Sequence, residues 1–255
     1  MSIGNMRLTF IGTGSTSAAP LYGCDCAVCT AARDNPTFKR NPASALIEAD
    51  DTRLLIDAGL HNLGERFPAG SFNAFLITHF HADHVQGLLP IRWGVGGKIT
   101  VYGPPDTEGC ADLYKNPGLL DFITVHKFEP FNIGEIIITP VPLIHSKPTL
   151  GYCLEWRDTR IAYLTDTVGL PPATADFLRL WQPTQLILDC SYPPRLEIPK
   201  GHNDVTRALE SIAQVQPQQA LLTHIGHELD AWLNQHTDAL PSNVFVAHDD
   251  MVIGA

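Results

Sequence analysis

Directly after an apolar run the chain reads Thr78-His79-Phe80-His81-Ala82-Asp83-His84, which places four metal-ligating side chains within six residues. Imidazole nitrogens and a carboxylate are natural ligands of Zn²⁺ or Mn²⁺. A lone histidine would read as an exposed loop residue, but a cluster of this density at the end of a strand does not. His79 and His81, two apart in an extended segment, share a face and can grip one ion. Asp83 and His84, entering a helix, point to a neighbouring position, so the spacing predicts two ions. Each ion then needs further ligands. His145 follows the run Val141 to Ile144, Asp166 follows Ile161 to Thr165, and His224 follows Ala220 to Thr223. Taken singly, each reads equally well as a loop residue. Their common position after an apolar strand groups them, and an aspartate such as Asp166 can bridge two metals.

The elements that must carry these residues are mostly strands. Leu8 to Ile11 reads as a first strand, and Ala43 to Ala49 with Arg53 to Ile56 flanks the turn signal Asp50-Asp51 as a hairpin. Ala74 to Thr78, Ile99 to Tyr102, Glu135 to Pro140, Tyr152 to Trp156, Arg160 to Thr165, Gln185 to Asp189 and Gln219 to Thr223 follow. Helices are predicted at about Asp204 to Val215, with Val205, Leu209 and Ile212 on one stripe and Asn203 or Asp204 as N-cap, and at Pro172 to Trp181. Strands punctuated by helices predict two packed sheets with helices outside. With no linker, repeat or low-complexity tract, residues 1–255 read as one domain. The Pro/Gly-rich stretch from Gly12 to Pro42 reads as a long irregular loop that needs a function or a staple.

Charge and cysteines narrow the partners. The 255 residues carry 17 Lys+Arg against 27 Asp+Glu, a formal net charge of −10, which gives no basic field for holding nucleic acid. An anionic substrate would have to be drawn by bound cations, and the 11 histidines point the same way. No apolar stretch approaches the ~20 residues that cross a bilayer, and the first apolar run is too short for a signal peptide, so no membrane partner and a cytoplasmic location are expected. Cys24, Cys26 and Cys29 cluster, whereas Cys110, Cys153 and Cys190 are scattered. In a reducing compartment clustered thiols suggest metal and scattered ones core.

The motif His79-x-His81-x-Asp83-His84, followed in order by His145, Asp166 and His224, resembles the metallo-β-lactamase superfamily along the whole chain, including Asp57 in Leu55-Ile56-Asp57-Ala58-Gly59. The resemblance implies an α+β fold, the αββα sandwich, with a dinuclear site along one edge of the two sheets. It also implies that Asp57 supports the histidine loop from behind. Having both Asp83 and His84 resembles the hydrolase and phosphodiesterase branches more than the true lactamases. Further segments are similar to the PhnP family of phosphoribosyl cyclic phosphodiesterases, which serve carbon–phosphorus lyase breakdown of phosphonates. These are Cys24-x-Cys26-x-x-Cys29, Val85-Gln86-Gly87-Leu88, Arg92-Trp93-Gly94-Val95-Gly96, Tyr102-Gly103-Pro104-Pro105 and Gly201-His202-Asn203-Asp204.

That similarity implies a defined set of roles. Two divalent ions, Mn or Zn, would sit on His79, His81, Asp83, His84, His145, Asp166 and His224, with Asp83 and His202 in catalytic roles. The three thiolates need a fourth ligand to close a tetrahedral zinc site, and His227 is the candidate, giving a structural zinc that pins the loop around residues 12–42. On its own residues, His202 reads as an exposed histidine before a helix; the resemblance makes it the proton donor to a leaving sugar alkoxide. The expected substrate is a small phosphorylated sugar, 5-phospho-α-D-ribose 1,2-cyclic phosphate, and a homodimer is implied. The alternatives are a related hydrolase of cyclic nucleotides or of RNA 3′ ends (tRNase Z-like), a di-iron redox protein, or a binding-only scaffold. His61, His126, His236 and His248 lie in polar stretches without a role, and Lys147 reads as a solvated side chain rather than a phosphate contact.

Overall fold

The computed structural model describes residues 6–254. Among them the first sheet is built from β1 (Arg7–Gly12), β2 (Ser44–Ala49), β3 (Thr52–Ile56), β4 (Ala74–Leu76), β5 (Ile99–Gly103) and β6 (Leu120–Thr124). The second is built from β7 (Phe131–Ile133), β8 (Ile136–Pro142), β9 (Leu150–Trp156), β10 (Thr159–Leu164), β11 (Gln185–Asp189), β12 (Gln219–Thr223) and β13 (Val244–Val246). A last strand, β14 (Val252–Ile253), returns to pair antiparallel with β1 and makes both sheets seven-stranded.

Both sheets follow the same plan. β1, β2 and β3 meander antiparallel, then β3, β4, β5 and β6 run parallel. In the second sheet β7 to β10 are antiparallel and β10 to β13 parallel. Parallel strands are covered on both faces and therefore read as continuous apolar runs, which is why most were visible in the sequence. Leu8, Phe10, Ile47 and Leu54 of the first sheet meet Tyr152, Tyr163, Ile187 and Leu221 of the second in a shared core. The alternate residues face outward under helices. Leu178 from the helix Pro172–Trp181 and Ala208, Ile212 and Val215 from the helix Val205–Val215 cover Leu164, Leu186, Leu188 and Leu222. On the other side Ile11, Leu46, Leu55, Phe75 and Val101 lie under Leu63, Val85 and Leu88. The order is helix, sheet, sheet, helix: an αββα sandwich.

Asp204 caps the helix Val205–Val215, its side chain accepting the Arg207 N–H at 2.8 Å. The stretch 12–42 departs from the irregular loop expected of it. It holds the helix Ala27–Asp34 and a 3₁₀ turn at Pro36–Phe38. Cys26 stands at the helix N-cap and its sulfur accepts the Cys29 N–H at 3.5 Å, a start signal that Ser, Thr or Asp would have announced and cysteine does not. The edge strands β6, β7, β13 and β14 were also missed; they are short and half exposed, so their alternation is weak. Among the described residues no helix is long and apolar enough to cross a membrane.

Candidate metal centre

Chain connectivity places the carboxyl ends of the inner strands along one edge, where open α/β sheets expose their loops. Asp57 follows β3, His79 follows β4, His145 follows β8, Asp166 follows β10, Asp189 ends β11 and His224 follows β12. Asp57 is fully buried. One carboxyl oxygen accepts the Thr78 N–H at 2.8 Å and the other accepts from His84 Nδ1 at 2.7 Å, so the end of β3 holds both ends of the histidine loop. Gly59 lets this loop come close: a Cβ there would sit 2.1 Å from the Asp83 carbonyl oxygen.

Two groups of ligand atoms result. His79, His81 and His145 converge, with His81 Nδ1 lying 2.9 Å from His79 Nε2 and 3.1 Å from His145 Nε2. Asp83, His84 and His224 form the second group, with Asp83 Oδ2 at 3.4 Å from His84 Nε2 and 3.9 Å from His224 Nε2. Asp166 stands between them. Its Oδ2 is 3.4 Å from His84 Nε2, 3.4 Å from His224 Nε2, 3.7 Å from His79 Nε2 and 3.9 Å from His145 Nε2. The Nε2 atoms of His84 and His224 are buried without a hydrogen-bond partner. Orphaned imidazole nitrogens aimed at a shared carboxylate are costly in a protein interior unless a cation completes them, so this donor set fits a pair of divalent ions.

Burial and charge compete across the site: burial lowers His84, but Asp166 and Asp57 outweigh it and hold that imidazole above its ordinary value. Burial pushes the Asp166 carboxyl up, but His224 and His84 outweigh it and hold the group well below the usual carboxylate range. Asp83 is likewise pushed up by burial and brought down further by His224, His84 and the Thr16 hydroxyl, which donates to it at 2.6 Å. Burial lowers His79, keeping that ring neutral and available as a ligand.

His202 lies beside these groups, its ring stacked on His224 with centroids 4.6 Å apart. Its Nδ1 donates to Asp189 Oδ2 at 2.8 Å. Burial lowers this imidazole's pKa, but the Asp189 charge outweighs it and pushes the value up to about 9. Together with His81, Asp83, His145 and Lys200, His202 lines a cavity of about 880 Å³ over the ligand groups. In the sequence Asp189 reads only as a strand end. The signal that could have found it is its position, a carboxylate at the carboxyl end of an inner strand like Asp57 and Asp166. Ser191 was missed as well; its Oγ receives His224 Nδ1 at 2.8 Å and donates to Asp189 at 3.1 Å.

Cys24, Cys26, Cys29 and His227 come together with their ligand atoms within 4.8 Å of one another. His227 Nδ1 is 3.5 Å from the Cys26 sulfur and 3.7 Å from that of Cys24. The contact with His227 draws the Cys26 thiol down to about 6, while burial raises Cys29 to about 11. An S₃N set of this kind suits tetrahedral zinc. His61, His126, His236 and His248 are exposed and stand apart. Lys147, which reads as a solvated side chain, is partly buried, its ammonium 3.6 Å from Asp106 and donating to the Gly109 carbonyl at 3.4 Å.

Residues 52–225 match the family model described as the β-lactamase superfamily domain. An octanoyltransferase of Porphyromonas gingivalis is 28% identical over 96% of this chain and 51% of its own length. A ribonuclease Z of Methanopyrus kandleri is 30% identical over 47% of this chain and 46% of its own. The chain thus spans about half the length of these curated relatives. The crystal structure of a diphosphatase from the PhnP family shares 26% identity with it and superposes with a TM-score of 0.83, covering 98% of this chain and 97% of that one. With strand order, ligand groups and family match in agreement, the chain belongs to the metallo-β-lactamase superfamily.

Proposed function

We propose that this protein is a metal-dependent phosphodiesterase that hydrolyses 5-phospho-α-D-ribose 1,2-cyclic phosphate to ribose 1,5-bisphosphate, a step of phosphonate breakdown by the carbon–phosphorus lyase route. The observation that carries the reading is the pairing of two facing ligand groups, shared through Asp166, with an imidazole acid placed beside them. A divalent pair held by His79, His81, His145, Asp83, His84, His224 and Asp166 would supply Lewis-acid charge for the phosphoryl oxygens and a water made nucleophilic near neutral pH.

The chain's own residues do the rest. Asp189 accepts the hydrogen bond from His202 Nδ1, which leaves Nε2 as the nitrogen that serves the cavity His202 lines. As imidazolium at neutral pH, His202 gives its Nε2 proton to the sugar oxygen as the bond from that oxygen to phosphorus breaks and the phosphate stays on C1. An alkoxide is a poor leaving group, and protonation by a placed acid contributes typically ~10²–10⁴-fold. Thr16 and Asp57 hold Asp83 and His84 in place. Cys24, Cys26, Cys29 and His227 would hold a zinc ion that would staple the stretch 12–42 beside the cavity. The net charge of −10 weighs against an RNA substrate.

The test is a phosphorus NMR time course on metal-reconstituted protein with the cyclic sugar phosphate, a 2′,3′-cyclic nucleotide and a precursor tRNA in parallel. Conversion of the sugar to the 1,5-bisphosphate with little tRNA processing is expected. Survival of the sugar with cleavage of the nucleotide or tRNA overturns the substrate.

A further inference from the structure

A substrate of this class carries two phosphates. The cyclic diester belongs over the ligand groups. The terminal monoester, with about −1.5 to −2 charge at neutral pH, needs a cation of its own, in a chain whose net charge is −10. Three cationic side chains stand near the cavity. Lys147 is held by Asp106 and the Gly109 carbonyl. Arg195 is paired with Glu228 at 3.2 Å and lies over the Tyr192 ring, 3.8 Å from its centroid. Lys200 lines the cavity itself, is exposed, and takes part in none of the ion pairs or side-chain hydrogen bonds among the described residues.

The backbone under Lys200 is fixed while its side chain is free. Pro199 before it is buried. Gly201 after it has φ +81°, and its carbonyl accepts from His145 Nδ1 at 2.9 Å. The segment passes so near the ligand groups that a Cβ on Gly201 would lie 3.3 Å from His145 Nδ1. His202, next in the chain, is tied to Asp189. Lys200 therefore departs from a segment anchored at once to a candidate ligand and to the candidate acid. The other polar side chains lining the cavity are already engaged, Thr16 by Asp83 and Ser146 by His81. An ammonium on a long stem is a point charge that finds a phosphate without demanding a planar approach.

We propose that Lys200 is the specificity-determining residue of this site: it binds the terminal phosphate of the sugar and selects phosphorylated over unphosphorylated cyclic sugars. The assignment rests on the phosphodiesterase reading above. The experiment measures kcat and KM of the metal-loaded protein, K200A and K200R on 5-phosphoribosyl 1,2-cyclic phosphate and on ribose 1,2-cyclic phosphate, which lacks the terminal phosphate. The wild type is expected to favour the phosphorylated sugar in kcat/KM by about 10- to 100-fold, the range of a charge-assisted contact. In K200A that ratio collapses toward unity through KM, and K200R restores most of it. The ratio is read on K200A protein whose unfolding midpoint matches the wild type, so that a loss of fold is not mistaken for a loss of selectivity. A K200A protein that keeps the wild-type ratio overturns the role of Lys200 while the phosphodiesterase reading survives. Equal use of both sugars by the wild type does the same. Turnover of neither sugar by the wild type overturns the phosphodiesterase reading and the proposal with it.

Discussion

Asp189 and His202 meet in a 2.8 Å hydrogen bond from imidazole Nδ1 to carboxylate Oδ2, at the junction of the sheet edge and the helix Val205–Val215. The same oxygen accepts the Thr167 N–H at 2.9 Å, and the other oxygen accepts the Ser191 hydroxyl, which in turn receives His224 Nδ1. One buried carboxylate thus orients the candidate acid and, through Ser191, a member of the ligand set. Such supporting contacts fix tautomer and ring direction.

The pH profile should report this pair. Burial alone would lower His202, and the Asp189 charge reverses that to about 9. A general acid works only while protonated, so kcat should hold through neutral pH and fall as pH rises through about 9. In Asp189→Asn the raising charge is gone and the basic limb moves to lower pH. His202→Ala removes the acid and lowers kcat by ~10²–10⁴-fold. Profiles of kcat from acid to pH 10 on the three proteins check this. A limb that stays in place in Asp189→Asn overturns the pairing as the cause.

The histidine loop could be read in the sequence because four ligand side chains crowd six residues, and no packing role asks for that. His145, Asp166 and His224 were reachable because each ends an apolar run, and such runs mark strands covered on both faces. Asp189 ends an apolar run too, but what gives it a role is His202, brought back to it only by the turn into the next helix. Lys147 reads as a solvated side chain for a similar reason. Its partner Asp106 lies on a distant loop that no local pattern links to it. The helix Ala27–Asp34 was hidden by its cysteines, whose metal-site spacing masks a helical start.

Asp57 should govern the second ion. Its carboxylate fixes His84 Nδ1 and receives Thr78 through both N–H and hydroxyl. Asp57→Asn keeps the shape but removes the charge, and metal affinity is expected to fall about 10- to 100-fold, as for other supporting carboxylates. Competition with a chelator whose colour reports free metal measures it, with the loss falling on one ion of the pair. Asp57→Ala also strands the buried Thr78 N–H, at a cost of about 1–3 kcal/mol, read as a lower urea midpoint.

The cysteine cluster should prove structural. Cys26→Ser is expected to lose one zinc per chain by elemental analysis and to lower the melting temperature, because a closed site of this type contributes directly to folding. The ions over the catalytic cavity should remain. Loss of those ions first, with the melting temperature unchanged, would place the cluster's metal in the chemistry instead.

Arg40 and Asp230 fasten the stapled stretch from its other end. Arg40 Nε and a terminal nitrogen donate to the two Asp230 oxygens at 2.5 and 2.8 Å, and the remaining nitrogen donates to Thr13 Oγ1 at 2.9 Å and the Ala247 carbonyl at 2.7 Å. The pair joins the end of the 12–42 stretch to the helix His227–Gln235, whose first residue is the candidate zinc ligand. Side-chain exposures of 11% and 17% keep water from replacing either partner fully. Arg40→Ala leaves Asp230, Thr13 and Ala247 without their donor and should cost about 3 kcal/mol, the lower end for breaking a buried pair. Asp230→Ala should cost less, since Arg40 keeps Thr13 and Ala247. In urea unfolding the double variant should then lose less than the two single losses combined, by about 0.5–3 kcal/mol. Arg40→Lys should behave more like alanine than like arginine, because one ammonium cannot serve a bidentate carboxylate and two further acceptors together. Strict additivity in the double variant would mean that the two side chains stabilise the stretch independently, and the fastening would then lie in Thr13 and Ala247 alone.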